Sequence, residues 1–236
     1  MISKHHGAVF VHIPKCGGQS VEQMFLEDLG LDWDNRAPLV LRPNTDPAKG
    51  PPRLAHLLAR DYVRLGYLTA EDFAAFHKFT IVRDPYKRAL SVFNYLSLSA
   101  PRSKPLQAVL GTRITKRLLG ADPMGLDEVM LDWLPAQFAA GDGDGHTSMF
   151  WFIRPQVDYA FDADGAFLVD EVIKLEELND KVEGLRSRYG LTPPLRHVNK
   201  STATAKTQDF QPQHLDMIER LYAADFEAFG YAKRAR

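Results

Sequence analysis

The run Ala8-Val9-Phe10-Val11-His12-Ile13 is short, β-branched and almost wholly apolar. That is how a strand buried on both faces reads. A strand covered on both sides belongs inside a layered fold, and what alternates with it along the chain decides which. Pro14 stops the run, a loop with Gly17 and Gly18 follows, and Val21 to Leu29 reads as a helix with Val21, Met24, Phe25 and Leu29 on one face. The pattern then recurs. Phe79-Thr80-Ile81-Val82-Arg83 is a second buried strand, with Asp84 suited to a helix N-cap and Pro85 to the first helical position of a helix running to about Leu98. A third strand lies within Phe167 to Leu175, before a helix over 178–189 that ends near Gly190. Strands alternating with helices predict a parallel sheet covered on both faces, whose ligands sit beyond the carboxyl ends of its strands.

The remaining segments are less regular. Residues 31–53 carry Pro38, Pro43, Pro47, Gly50, Pro51 and Pro52 and read as a long loop, a length that is usually functional or mobile. A helix could start within 54–65. Thr69-Ala70-Glu71-Asp72 resembles a capping box opening a helix over 70–77. Further helices are expected at 105–119 and 126–140. Gln213 to Phe229 is strongly amphipathic, with Leu215, Ile218, Tyr222, Phe226 and Phe229 in one stripe and Gly230 ending it. There is no repeat, and the whole of residues 1–236 is expected to form one domain.

Charge excludes several classes of function. The 29 Lys and Arg against 30 Asp and Glu leave a net charge of −1, so any anion site comes from local placement of basic residues, and a globally basic nucleic-acid binder is excluded. A single cysteine, Cys16, excludes an intrachain disulfide framework and a cysteine metal cluster. No apolar run approaches the length of about 20 residues that spans a bilayer. The early first strand leaves no room for a signal peptide, and a soluble, cytoplasmic protein is expected. Gly141-Asp142-Gly143-Asp144-Gly145 and Asp162-Ala163-Asp164-Gly165 look like calcium loops but have Ile153 and Ile173 where the twelfth-position glutamate belongs; they read as turns.

Two motifs carry chemistry, each at the carboxyl end of a predicted strand. In Pro14-Lys15-Cys16-Gly17-Gly18-Gln19-Ser20 the adjacent glycines let the backbone approach a ligand closely. The loop N–H groups and the new helix N-terminus converge as they do on a phosphate or sulfate. Lys15 adds a point charge, and Gln19 and Ser20 add donors. The order is not that of a Walker A loop, whose lysine follows the glycines and precedes the Ser or Thr that holds Mg²⁺. In Arg83-Asp84-Pro85-Tyr86-Lys87-Arg88-Ala89-Leu90-Ser91, Arg83 ends the strand and Arg88, Ser91 and Tyr95 share a helix face. A planar guanidinium with a serine hydroxyl suits a phosphate.

Val-His-Ile-Pro-Lys-Cys-Gly-Gly-Gln-Ser followed by Val-Arg-Asp-Pro-x-x-Arg-x-x-Ser resembles the two signatures of sulfotransferases, most closely the carbohydrate and heparan-type branch, usually written HIPKTGGTS and VRNPxxRxxS. Phe152 to Gln156, Val169 to Leu178, His197-Val198-Asn199-Lys200-Ser201 and the helix holding Leu221 to Phe226 resemble later blocks of that family, so the likeness covers most of the chain. It implies a single sulfotransferase domain, a three-layer parallel sheet flanked by helices in the P-loop-NTPase-like sulfotransferase fold. It also implies transfer of a sulfuryl group from 3′-phosphoadenosine-5′-phosphosulfate (PAPS), leaving adenosine 3′,5′-bisphosphate (PAP), with no metal. By the resemblance, Lys15, Cys16, Gly17, Gly18, Gln19 and Ser20 hold the 5′-phosphosulfate. Arg83 and Ser91 hold the 3′-phosphate, and Asn199, Lys200 and Ser201 close over the cofactor. Cys16 and Gln19 stand where the family often has Thr; a thiol is the weaker donor.

The transfer is expected to be in-line, with Lys15 stabilising the charge on the leaving oxygen. The acceptor hydroxyl, on a sugar or small metabolite, needs a base. Of the eight histidines, His5 and His6 are terminal, His12 is a strand-end residue, His77, His146 and His214 lack motif context, and His197 sits in the Asn199 block. His56, after the long loop, resembles the family's His-x-x-Ala segment and is the expected base. Arg154 and Gln156 are expected to face the acceptor, and the loops 31–53 and 141–146 to select it. Two rivals stay open: a nucleotide-dependent phosphotransferase on a related fold, and an inactive module that keeps the anion pocket.

Overall fold

A computed structural model describes residues 1–98, 124–142, 146–196 and 205–235. The helix expected over 105–119 and the residues His197, Asn199, Lys200 and Ser201 lie outside them. The chain divides into two compact units, Met1–Arg83 with Gln156–Lys200, and Asp84–Pro155 with Ser201–Arg236.

The first unit carries a four-stranded sheet in the order β1 (Ile2–Ser3), β2 (Ala8–Val11), β3 (His77–Val82) and β4 (Glu171–Lys174). The three strands expected from the sequence are β2, β3 and β4, and both parallel pairings among them are there. β2 runs parallel to β3 with Phe10 opposite Phe79, and β3 parallel to β4 with Ile81 opposite Ile173. The edge strand β1 is antiparallel, with Ile2 opposite Val9. Two residues are too few to show a periodicity, which is why this strand is absent from the sequence pattern.

Every residue of β2 is buried, as a strand covered on both faces requires. α1 (Gly18–Asp28) starts three residues before the expected Val21, inside the glycine loop, and buries Val21, Met24, Phe25 and Leu26. α2 (Asp61–Arg64) and α3 (Ala70–Ala75) follow; the Thr69 hydroxyl caps α3 by accepting from Asp72 N at 3.0 Å. On one face of the sheet Phe10 and Phe79 stack at 4.9 Å. Phe25 of α1 and Tyr189, the last residue of a later helix of this unit, close over Phe79 at 6.3 and 5.7 Å between ring centroids. Such pairs add to the burial of about 150–250 Å² per ring. The long loop is ordered by Asn44, whose amide donates to the carbonyls of Asp46, Gly50 and Pro51.

In the second unit α4 (Pro85–Leu98) begins where expected. Asp84 Oδ1 accepts from Lys87 N at 3.0 Å, filling one of the donors a helix start leaves unpaired. The expected helix over 126–140 is a π-helical stretch, Glu128–Trp133, continued by α5 (Leu134–Ala140). Two short helices follow, α6 (Phe150–Ile153) here and α7 (Val157–Ala160) in the first unit, which also holds α8 (Leu178–Tyr189), ended by Gly190 at φ +67°. The C-terminal stripe is α9 (Pro212–Leu221) and α10 (Ala223–Ala228), not one helix. The break falls at Tyr222, whose hydroxyl donates to Ile153 O at 2.9 Å, so a tertiary anchor overrides the local periodicity. Tyr86, Val92, Trp133, Phe152, Ile218 and Phe226 are among the residues of this unit's core. Among the described residues no helix is long and apolar enough to cross a membrane.

Replacing Asp84 by Ala removes the cap of α4 and is expected to lower stability by about 1 kcal/mol, read as a lower urea midpoint at unchanged slope.

Candidate active site

The loop Pro14–Ser20 joins β2 to α1 under tight steric control. Lys15 has φ +68°, a left-handed conformation that costs a side-chain-bearing residue roughly 1–2 kcal/mol. Gly17 is left-handed too, at φ +76°, and a Cβ there would lie 2.7 Å from the Leu175 side chain. At Gly18 a Cβ would lie 2.3 Å from the His12 ring. The glycines are thus needed for different reasons: one for its backbone angle, the other for the imidazole against it. Burial, followed by the neighbouring positive charge of Arg83, lowers the Lys15 ammonium to about 8 against a smaller opposing effect of Cys16. Cys16 and Ser20 are buried, and Gln19 is half-buried on the first turn of α1.

Arg83 follows β3 and comes to the same loop. Its Nη1 donates to Lys15 O at 3.2 Å, while its buried Nε has no hydrogen-bond partner. Its backbone is held by Gln156: Arg83 N donates to Gln156 Oε1 at 2.8 Å, and Gln156 Nε2 donates to Arg83 O at 2.9 Å. The Cys16 thiol donates to the same Oε1 at 3.3 Å. Gln156, expected at the acceptor, has no exposed surface and spends its amide on the loop and the strand end.

His56 stands on a short turn, Leu54–His56, and is brought to the strand that feeds the loop. Its Nδ1 lies 2.9 Å from His12 O, and the rings of His56 and His12 meet edge to face at 4.5 Å. A carbonyl only accepts, so Nδ1 carries the proton and the neutral ring keeps its lone pair on Nε2. Burial, reinforced by the adjacent His12, holds the His56 pKa well below the usual 6.5, with the His12 carbonyl bond opposing. His12 Nδ1 in turn lies 2.6 Å from Glu22 Oε1, and both side chains are buried.

The second unit holds the other candidates. Ser91 is half-buried on α4. Arg88 is buried, donating from Nη1 to Arg154 O at 2.9 Å and from Nη2 to Phe152 O at 3.4 Å, with its guanidinium 5.6 Å from the Tyr222 ring centroid. It braces the backbone carbonyls of Phe152 and Arg154 within this unit. Arg154, expected at the acceptor, pairs with Asp142 and lies 4.7 Å from the Phe150 ring centroid. Asn199, Lys200 and Ser201 lie outside the described residues. Among the described residues no group of three or more His, Cys, Asp or Glu is arranged to hold a metal ion.

Sequence reasoning missed two features. The His12–Glu22 pair had a readable signal, since Glu22 sits three and four residues before Phe25 and Leu26 on the buried face of α1, where a carboxylate needs a partner. The bonds of Gln156, a residue expected at the acceptor, had no such signal, because its partners lie 73 and 140 residues away in sequence.

The two-motif α/β arrangement has a match among known families. The model of the sulfotransferase family matches residues 1–130, more than half of the chain and the whole of both motifs. The chain belongs to the sulfotransferase family, whose members are transferases of the sulfuryl group and generally draw it from PAPS. No curated protein and no solved structure matches the chain.

Gly18→Ala forces the His12 ring to move and is expected to destabilise by about 1–3 kcal/mol. A thermal midpoint equal to that of the parent would show that the ring has room to shift.

Proposed function

We propose that this protein transfers the sulfuryl group of PAPS to a hydroxyl on a sugar or small metabolite, acting as a single domain in the cytoplasm. The observation that carries this reading is the meeting of two basic elements at the carboxyl ends of β2 and β3. Arg83 reaches the carbonyl of Lys15 and keeps a buried Nε without a partner. An unsatisfied buried donor costs about 1–3 kcal/mol, a penalty that an anionic ligand removes, so these residues fit a nucleotide with two anionic ends.

Lys15, Cys16, Gly17, Gly18, Gln19 and Ser20 are assigned to the 5′-phosphosulfate and Arg83 to the 3′-phosphate. These assignments follow the motif resemblance, as do those of Ser91 to the 3′-phosphate and of Asn199, Lys200 and Ser201 to closure over the cofactor. When bound, PAPS supplies an already activated mixed anhydride, which needs no metal to leave. Lys15 then stabilises negative charge at the leaving oxygen, and its partial burial strengthens that effect. His56 accepts the proton of the acceptor hydroxyl on Nε2. Being neutral well below pH 6.5, it is ready as a base throughout the physiological range. The loop 31–53, ordered but largely without regular structure, is assigned to acceptor selection.

Transfer from labelled PAPS to a panel of sugar and small-molecule hydroxyls tests the reading. Lys15→Ala is expected to lower kcat by about 100-fold or more with thermal stability little changed; undiminished turnover would contradict the loop assignment. His56→Ala should keep nucleotide binding and lose about 10²–10⁴ in rate. A variant with full activity would require another base.

The pH profile follows from the same two groups. Lys15 is charged below about 8 and loses its charge above it, so kcat/KM should fall as pH rises through about 8. His56 is lowered, so no loss of activity is expected on descending to pH 6.5. An acid limb centred at 6.5 would count against His56.

A further inference from the structure

We infer that Gln156 is a positioning residue that couples the Lys15 loop to Arg83, and so sets where the two charges stand for the donor. The inference rests on the PAPS reading and goes beyond it to the device that holds the site together.

The Gln156 side chain has no exposed surface, and its amide is used from both ends. Oε1 accepts from Arg83 N at 2.8 Å and from the Cys16 thiol at 3.3 Å, while Nε2 donates to Arg83 O at 2.9 Å. The reciprocal pair with one residue's N–H and C=O imitates a neighbouring strand at the point where β3 has ended. Arg83 Nη1 then donates to Lys15 O at 3.2 Å. Lys15 and Cys16 are adjacent, so these bonds close a circuit: Lys15, Cys16, Gln156, Arg83 and back to Lys15. In a buried setting such circuits hold geometry better than their separate bonds. The circuit also gives Cys16 a purpose at a position where the family often has Thr. Cys16 is 1 % exposed and supplies the donor that fills the second lone pair of Oε1. Displacing the amide frees the backbone of Arg83 and the loop together, so both anion contacts move at once.

The test is calorimetric binding of adenosine 3′,5′-bisphosphate and AMP to the parent and to Gln156→Leu, Gln156→Glu, Cys16→Ala and Cys16→Ser, each checked by circular dichroism. The readout is the preference for the bisphosphate, which a general loss of stability does not move. Gln156→Leu is expected to reduce that preference about tenfold or more, and Cys16→Ala by a smaller factor, on the scale of one or two neutral hydrogen bonds. Cys16→Ser, which restores a donor, should bind more tightly than Cys16→Ala. Combining Cys16→Ala with Gln156→Leu should be little worse than Gln156→Leu alone, because the thiol–amide bond is then already lost and only the longer contact of the thiol with Pro14 O, at 3.7 Å, remains. Variants that melt earlier but keep the parent's preference overturn the inference and leave Gln156 a packing residue. If Gln156→Leu does not fold, Gln156→Glu and the Cys16 pair decide, and equal preference in Cys16→Ala and Cys16→Ser overturns it. A parent that shows no preference for the bisphosphate removes the PAPS reading itself, an outcome separate from failure of the variants.

Discussion

The parallel pairing of β2 with β3, in a register that sets Val11 opposite Thr80, is the constraint on which the site depends. Parallel neighbours end at the same edge of a sheet, so whatever follows each strand emerges side by side. After β2 comes the glycine loop with Lys15; after β3 comes Arg83. Shifting the register by one residue would turn every buried side chain of the strand to the opposite face. The aromatic stack of Phe10 and Phe79 therefore protects the alignment of two basic residues that lie beyond it. His56 uses the same frame, since its Nδ1 is fixed to a carbonyl at the end of β2.

Holding these groups in place is unfavourable in isolation. Lys15 sits in a left-handed backbone conformation, its ammonium is partly desolvated beside another cation, and Arg83 keeps an unpaired buried donor. Such features persist only where the surroundings over-determine them. Here the surroundings are the sheet, the Gly17 and Gly18 contacts and the buried amide of Gln156. The overall charge is −1, so the positive field at this place comes from a few basic residues on a nearly neutral protein, raised by burial.

Much of this was legible in the sequence, for identifiable reasons. β2, β3, α1, α4 and α8 announced themselves through all-apolar runs, a Pro at the first helical position and a Gly after the last. The two motifs were legible because each lies within ten residues of chain. The features that were not legible depend on contacts distant in sequence. The short edge strand β1 exists only because β2 offers it a partner. The break at Tyr222 follows from a hydroxyl that reaches Ile153. Arg88 shares a helix face with Ser91 in the sequence, but only the fold shows that its guanidinium goes to the carbonyls of Arg154 and Phe152. Gln156 reads as a residue facing the acceptor, and only the fold shows that its amide is buried against Arg83 and Cys16.

The most direct measurement on the central claim compares adenosine 3′,5′-bisphosphate with ADP, by calorimetry, on the parent protein and on Arg83→Ala. Charge-assisted hydrogen bonds are worth about 1.5–3 kcal/mol each, so two or three of them to a 3′-phosphate give a preference of about 100-fold or more. The parent is expected to show that preference and Arg83→Ala to lose it. ADP binding as tightly as the bisphosphate, or more tightly, would contradict it and return Arg83 to the role of a strand-end residue.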